Sequence, residues 1–274
     1  MEVRFENMDC GYGDVKVLRD INLTIDQPGL VCIIGPNGVG KSTLIKCINR
    51  INTPSSGHVY IDGHDVSTIS FKELSKVVAY VPVSSSDTFS MTVMDTVLMG
   101  RHPHQKVGTA SALDLKIVRR SLKMMGVSHL AMRSFSELSA GQHQRVAIAR
   151  GLAQTPRLLI LDEPTSNLDV RHQIQVTELL QRLAVQNGMT VLMISHDLNI
   201  ASKFADQVIM MAQPGVIYRV GTPSEVITPE NIRFTYGVDC RVTDDEGRPH
   251  VILGKPMSDE AVEAMHHDGT DYDD

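Results

Sequence analysis

Residues 30–43 read LVCIIGPNGVGKST, an unbroken apolar run followed at once by a glycine-punctuated turn, a lysine and two hydroxyls. The apolar run predicts a strand buried on both faces, and residues 35–43 match the G-x-x-x-x-G-K-[ST] pattern at a strand-to-helix junction. The spacing has a physical reason. Gly35, Gly38 and Gly40 let the backbone curl so that successive N–H groups point inward at phosphate oxygens, and the following helix adds the positive end of its dipole. Pro36, Asn37 and Val39 fill the positions between them, and Thr43 closes the motif. Lys41 supplies a point charge for β and γ phosphates, while Ser42 offers a hydroxyl to a magnesium ion.

Working outward, two further apolar runs, residues 158–161 and 191–194, are each separated from the one before by helical patterns, as a parallel sheet requires. An α/β core is the expectation. Ligands of open α/β sheets bind beyond the carboxyl ends of the strands, so the residues that follow these runs should face the cradle. The second run ends in Asp162 and Glu163. Asp162 would hold magnesium through its water shell, and Glu163, one residue farther out, would polarise the attacking water as general base. The third run leads to Ser195, His196 and Asp197, which places the His196 imidazole near a γ phosphate as a sensor. Between the first two runs, residues 84–155 are rich in Met, Leu, Ser and His with helical periodicity, and read as an inserted helical subdomain. The opening residues 3–25 mix short β-type stretches with turn signals such as Cys10-Gly11-Tyr12-Gly13. Residues from Arg241 onward offer a last strand or two, at residues 251–253, and residues 268–274 read as a solvated acidic tail.

Composition narrows the classes. The chain has 274 residues with a formal net charge of −6. Residues 1–240 are close to neutral, and residues 241–274 carry 3 basic against 10 acidic side chains. A neutral body argues against a phosphate-backbone binder, so nucleic acid is not an expected partner. Trp is absent and aromatic residues make up 4%, which leaves no evident stacking platform for bases. The longest apolar runs are far short of the roughly 20 residues that cross a bilayer, and the first residues hold no apolar signal region. A cytosolic protein is expected. Cys10, Cys32, Cys47 and Cys240 have no C-x-x-C spacing and read as buried free thiols.

Leu138-Ser139-Ala140-Gly141-Gln142 opens a helix expected to run to about Gln154, before Pro156. Ser139 and Gln142 have capping-box spacing, and a helix start built of small residues leaves N–H groups open to an anion. Taken in order, GPNGVGKST, LSAGQ, LLILDEP, the SNLD of residues 166–169 and the histidine of SHD resemble an ATP-binding cassette ATPase over essentially residues 1–240. The resemblance implies an α/β fold: a P-loop NTPase (RecA-like) core, an antiparallel β subdomain and the inserted helical subdomain, with residues 241–274 as a C-terminal extension. It further implies ATP and Mg2+ as cofactors, and a head-to-tail homodimer in which each nucleotide lies between the cradle of one copy and Ser139, Ala140, Gly141 and Gln142 of the other. Tyr12 is assigned to the aromatic that stacks on adenine, and Asp169 to the loop contacting the opposite protomer. Met99-Gly100-Arg101-His102-Pro103-His104 and the stretch from Tyr236-Gly237-Val238-Asp239 to Val251 resemble ATPases serving importers of iron-siderophores, haem or cobalamin. Integral membrane permease subunits, a substrate-binding protein and a place on the cytoplasmic face of the cell membrane are implied with them. Two alternatives stay open: a nucleotide-gated module with weak hydrolysis, and a soluble cassette ATPase without a transport role.

One departure stands out. The family expects glutamine directly after Tyr80-Val81-Pro82, where it touches magnesium and water and relays nucleotide state to the membrane subunits; this chain has Val83. Valine cannot coordinate or hydrogen-bond, and Ser84, Ser85 or Ser86 would have to reach the site instead. Ala140, in place of the usual signature residue, retains its backbone N–H. His102, His104, His266 and His267 read as packing or surface residues, since no third metal ligand is placed by spacing.

Overall fold

The computed structural model describes residues 1–83, 91–105, 110–166, 168–258, 260 and 262. The expected start of the helical insertion at Ser84, the serines 84–86, His266, His267 and the tail at residues 268–274 lie outside the described residues. The chain begins with long antiparallel strands β1 (Val3–Tyr12) and β2 (Val15–Ile25) where short stretches were expected. Register shifts between Phe5 and Gly11, with Asn7 and Asp20 at φ 44° and 45°, break the alternation that would have announced them. The buried strand β3 (Gly29–Ile34) and helix α1 (Lys41–Ile48) follow, then β4 (Ser56–Ile61), β5 (His64–Asp65), α2 (Phe71–Val77) and β6 (Val78–Val81). Three helices come next: α3 (Val93–Leu98), α4 (Ala112–Met124) and α5 (Ala140–Ala153). The remainder runs β7 (Leu158–Leu161), α6 (Val170–Asn187), β8 (Thr190–Ile194), α7 (Leu198–Phe204), β9 (Gln207–Ala212), β10 (Val216–Gly221), α8 (Pro223–Val226), α9 (Pro229–Tyr236), β11 (Val238–Asp245) and β12 (Arg248–Pro256).

The central sheet has six strands in the order β10-β9-β3-β8-β7-β6, parallel from β9 to β6 with β10 antiparallel at one edge. Strands β3, β7 and β8 are buried along their whole length, which is why they read as continuous apolar runs. Their side chains alternate between two cores. Leu30, Cys32, Ile34, Leu159, Leu161, Val191 and Met193 pack with α3 to α7. Val31, Ile33, Leu158, Ile160, Leu192 and Ile194 pack with α1 and the antiparallel sheet β2-β1-β4-β5. Each such side chain contributes about 1.5–3 kcal/mol by leaving water. The fold is thus α/β, a parallel sheet covered by helices on one face and by an antiparallel sheet and α1 on the other. No helix of the described residues is long and apolar enough to cross a membrane.

Strand order positions the chemistry. In parallel register Ile33 lies beside Ile194, and Leu161 beside Met193, so the turns after β3, β8 and β7 emerge at one edge.

Candidate active site

At the end of β3, Gly35 turns the chain with φ 146°, and a Cβ there would lie 2.4 Å from the Met211 carbonyl oxygen. Gly40 closes the loop at φ 104°, where a Cβ would meet Leu18 Cδ2 at 2.6 Å. Both positions therefore demand glycine. Gly40 is also the N-cap of α1, so no side chain caps the helix and its first turn carries no acid. The open N–H groups and the helix dipole favour an anion. Lys41 is 6% exposed, and its Nζ donates to the carbonyls of Gly35 and Pro36, each at 2.7 Å. Burial lowers its pKa, while Glu163 and Asp162 pull in the opposite direction. The ammonium is held at the floor of the loop, where phosphate oxygens would replace the two carbonyls as its acceptors.

Asp162, 3% exposed, follows β7 and receives hydroxyl donors on both oxygens. Ser42 Oγ donates to Oδ1 at 2.9 Å, and Tyr80 OH donates to Oδ2 at 3.1 Å. Burial and the neighbouring carboxylate raise the Tyr80 pKa, so its hydroxyl stays a donor. The sequence reading named Ser42 and Asp162 but missed Tyr80. Its signal lay in the alternation of Val78 to Val81, which sends Val78 and Tyr80 to the α1 side and Ala79 and Val81 to the other.

Glu163 adopts φ 49°, a left-handed conformation that costs a non-glycine residue about 1–2 kcal/mol. Its carbonyl accepts from Ser166 N–H at 3.3 Å and Ser166 Oγ at 3.1 Å, which holds the turn. The turn aims the side chain at His196, whose Nε2 donates to Glu163 Oε1 at 2.6 Å. His196 sits on the tight connection after β8, where Ser195 Oγ donates to the Asp197 carbonyl at 3.1 Å and Asp197 caps α7.

Tyr12, at the end of β1, is 55% exposed. Its hydroxyl lies 3.5 Å from Thr43 Oγ1 and accepts from Asn52 Nδ2 at 2.8 Å, which fixes the ring at the cradle's rim. Nothing in the sequence singled out Asn52. Ser139 caps α5 with the full reciprocal box: its N–H donates to Gln142 Oε1 at 3.0 Å, and Gln142 N–H donates to Ser139 Oγ at 3.4 Å. Ala140 and Gly141 thereby open the helix with their N–H groups outside the box, and a Cβ on Gly141 would lie 3.2 Å from Leu168. Asp169 caps α6, accepting from His172 N–H at 2.9 Å and from His172 Nδ1 at 2.8 Å, so its carboxylate is engaged within its own chain. Those bonds lower its pKa.

The described residues thus bring Tyr12, the cradle, Asp162, Glu163 and His196 to one sheet edge. The hydrogen-bond partners of Ser139 and Gln142 belong to α5 itself. Val83, half-buried, follows β6 with no polar side-chain atom. His104 Nε2 donates to the Gln154 carbonyl at 2.8 Å, a packing contact, and no cluster of three His, Cys, Asp or Glu suited to a metal occurs among the described residues. The four cysteines are buried free thiols.

Residues 18–166 match a family model described as ABC transporter. The iron(3+)-hydroxamate import ATP-binding protein of Bacillus subtilis is 38% identical over 241 residues, covering 88% of this chain and 89% of its own length. The ferric enterobactin transport ATP-binding protein of Escherichia coli is 37% identical over 257 residues, covering 92% and 94%. Among solved structures, a bacterial ABC transporter cassette determined as a dimer superimposes with a TM-score of 0.70 and 30% identity, covering 80% of this chain and 98% of that one.

Proposed function

The chain belongs to the ABC transporter family as an ATP-hydrolysing, ATP-binding subunit, and from that premise we propose that two copies, packed head to tail, couple Mg-ATP hydrolysis to uptake of a metal chelate through a separate permease. Iron-siderophore, haem or cobalamin is the cargo class. The observation that carries the reading is the joined set of bonds at three neighbouring strand ends: Lys41 in the loop, Ser42 on Asp162, and His196 on Glu163. In this reading the exposed face of Tyr12 takes the adenine, residues 35–43 wrap the phosphates, and Lys41 holds the β and γ oxygens. Ser42 and Asp162 are hard oxygen donors already in contact, a pair that fits magnesium. Bound there, the ion would neutralise charge on the phosphate oxygens. Glu163 takes the proton of the attacking water, and His196 steadies the γ phosphate. Ser139, Ala140, Gly141 and Gln142 of the second copy cover the nucleotide from the far side, with the loop at Asp169 beside them.

The permease and a substrate-binding protein complete the proposed importer, which places the chain at the cytoplasmic face of the membrane. A cleft of about 530 Å³, lined by Ile51, Phe71, Tyr80, His102 and Pro103 among others, is proposed as the docking place of an apolar permease segment. Phe71 is 65% exposed and Ile51 57%. Copurification with a multispanning subunit that raises the ATPase rate in the presence of a chelate-loaded binding protein tests the assignment. A chain that never associates with such a subunit would instead have a soluble role.

Val83 favours one variation, a cassette whose hydrolysis is slow because the relay glutamine is missing. Val83→Gln is expected to raise the permease-stimulated rate about fivefold, the effect of one regained hydrogen bond of about 1 kcal/mol. Equal stimulated ATPase and transport rates in the two proteins would dismiss this variation.

A further inference from the structure

Tyr80 has two neighbourhoods. Its side chain lines the cleft that contains the exposed Phe71 and Ile51, together with His102 and Pro103. Its hydroxyl donates to Oδ2 of the buried Asp162, whose Oδ1 is taken by Ser42. Strand β6 ends one residue later at Val81, and Val83 beyond it cannot donate or accept with its side chain. Among the described residues of this edge, Tyr80 is thus the side chain that links the cleft to the carboxylate by a hydrogen bond.

We propose that Tyr80 is a positioning residue for the magnesium site: its hydroxyl fixes the rotation of the Asp162 carboxylate, and the permease segment proposed for the cleft acts on the metal site through that bond. The inference rests on the reading of Asp162 as the carboxylate that faces magnesium. The physical ground is directional. A carboxylate with one anchored oxygen can still turn about its last side-chain bond, whereas donors on both oxygens leave it a single plane. Removing the phenolic hydroxyl frees that rotation and removes a donor to a buried charge, while the ring and its packing are retained. Movement of the ring by a segment entering the cleft would tilt the same carboxylate. No atom of Tyr80 need touch nucleotide or metal.

Binding of a fluorescent ATP analogue to the full chain, titrated with MgCl2 and repeated in EDTA, tests this directly. Tyr80→Phe is expected to raise the magnesium concentration needed for half-maximal enhancement of binding by about fivefold or more, and to leave binding in EDTA unchanged. In the assembled transporter, the same variant should lower the ratio of permease-stimulated to basal ATPase. An unchanged magnesium midpoint in Tyr80→Phe would overturn the proposal. So would equal losses with and without magnesium, since these mark a packing residue. Asp162→Asn separates the two levels of inference. A shifted midpoint in Asp162→Asn beside an unmoved one in Tyr80→Phe defeats the positioning role alone, and an unmoved midpoint in Asp162→Asn defeats the metal reading on which it rests.

Discussion

Glu163→Gln should hold ATP without consuming it: turnover falls by about 10²–10⁴-fold, the range supplied by a positioned general base, while nucleotide affinity is retained. The substitution is conservative in shape and decisive in chemistry. The amide oxygen can still accept from His196 Nε2, now 2.6 Å from Glu163 Oε1, so the turn and the imidazole stay in place. What the amide cannot do is take a proton from water. In the proposed head-to-tail pair hydrolysis is the step that reopens the site, so the variant should also accumulate as an ATP-bound dimer, visible as a doubled molar mass in light scattering. Single-turnover phosphate release gives the rate. A variant that hydrolyses ATP as fast as the parent removes Glu163 from its role as base.

The second large effect is structural, at a buried ion pair that ties α4 to the end of α5. Arg101 and Asp114 are 5% and 7% exposed, with Arg101 Nε donating to Asp114 Oδ1 at 2.9 Å. The guanidinium also donates to the Ala153 carbonyl at 2.7 Å and to Thr155 Oγ1 at 3.2 Å. Arg101→Leu leaves a buried carboxylate without its cation and strips two acceptors. A loss of about 3–5 kcal/mol is expected, a fall in Tm on the order of 10 °C. Hydrogen bonds from Ser111, then from Arg101, hold the Asp114 carboxyl down to about 2. Because the folded value lies below the unfolded value of about 3.9, the stabilisation from Asp114 is complete above pH 4 and fades as pH falls towards 2. The cost of Arg101→Leu should therefore shrink over the same interval in urea titrations. A pH-independent cost would show that the guanidinium acts through the Ala153 and Thr155 contacts and not through the carboxylate.

The parts of this fold legible in the sequence are those where a local pattern carries the whole constraint. Residues 30–43 announce strand, turn and helix because a strand buried on both faces must be apolar throughout, and because Gly35 and Gly40 sit where a Cβ would strike Met211 or Leu18. Asp162, Glu163 and His196 follow from one rule about strand ends. The bond from Tyr80 to Asp162 and the place of Asn52 beside Tyr12 were not legible. Tyr80 reaches Asp162 only because β6 pairs with β7 in a register that sets Tyr80 opposite Ile160 and Val81 opposite Leu161, and register is a property of the sheet. Asn52 meets Tyr12 across a gap of 40 residues that no periodicity encodes. The opening hairpin reads as short stretches because its bulges shift the inward-facing set several times along β1. The six residues Met99–His104 form a 3₁₀ segment with Pro103 inside it, interrupting the helical pattern on which the insertion was read.

In the proposed mechanism a second copy completes the site. Light scattering coupled to a count of bound ATP, on Glu163→Gln with and without Gly141→Asp, measures this directly. In the proposed pair, a negative charge at Gly141 would face the phosphates held by the other copy's cradle, while the cradle of its own chain is untouched. The predicted result is a dimer carrying two ATP molecules for Glu163→Gln, and a monomer when Gly141→Asp is added. The contradicting result is ATP retained by single chains, with Gly141→Asp alone hydrolysing at the parent rate at every protein concentration.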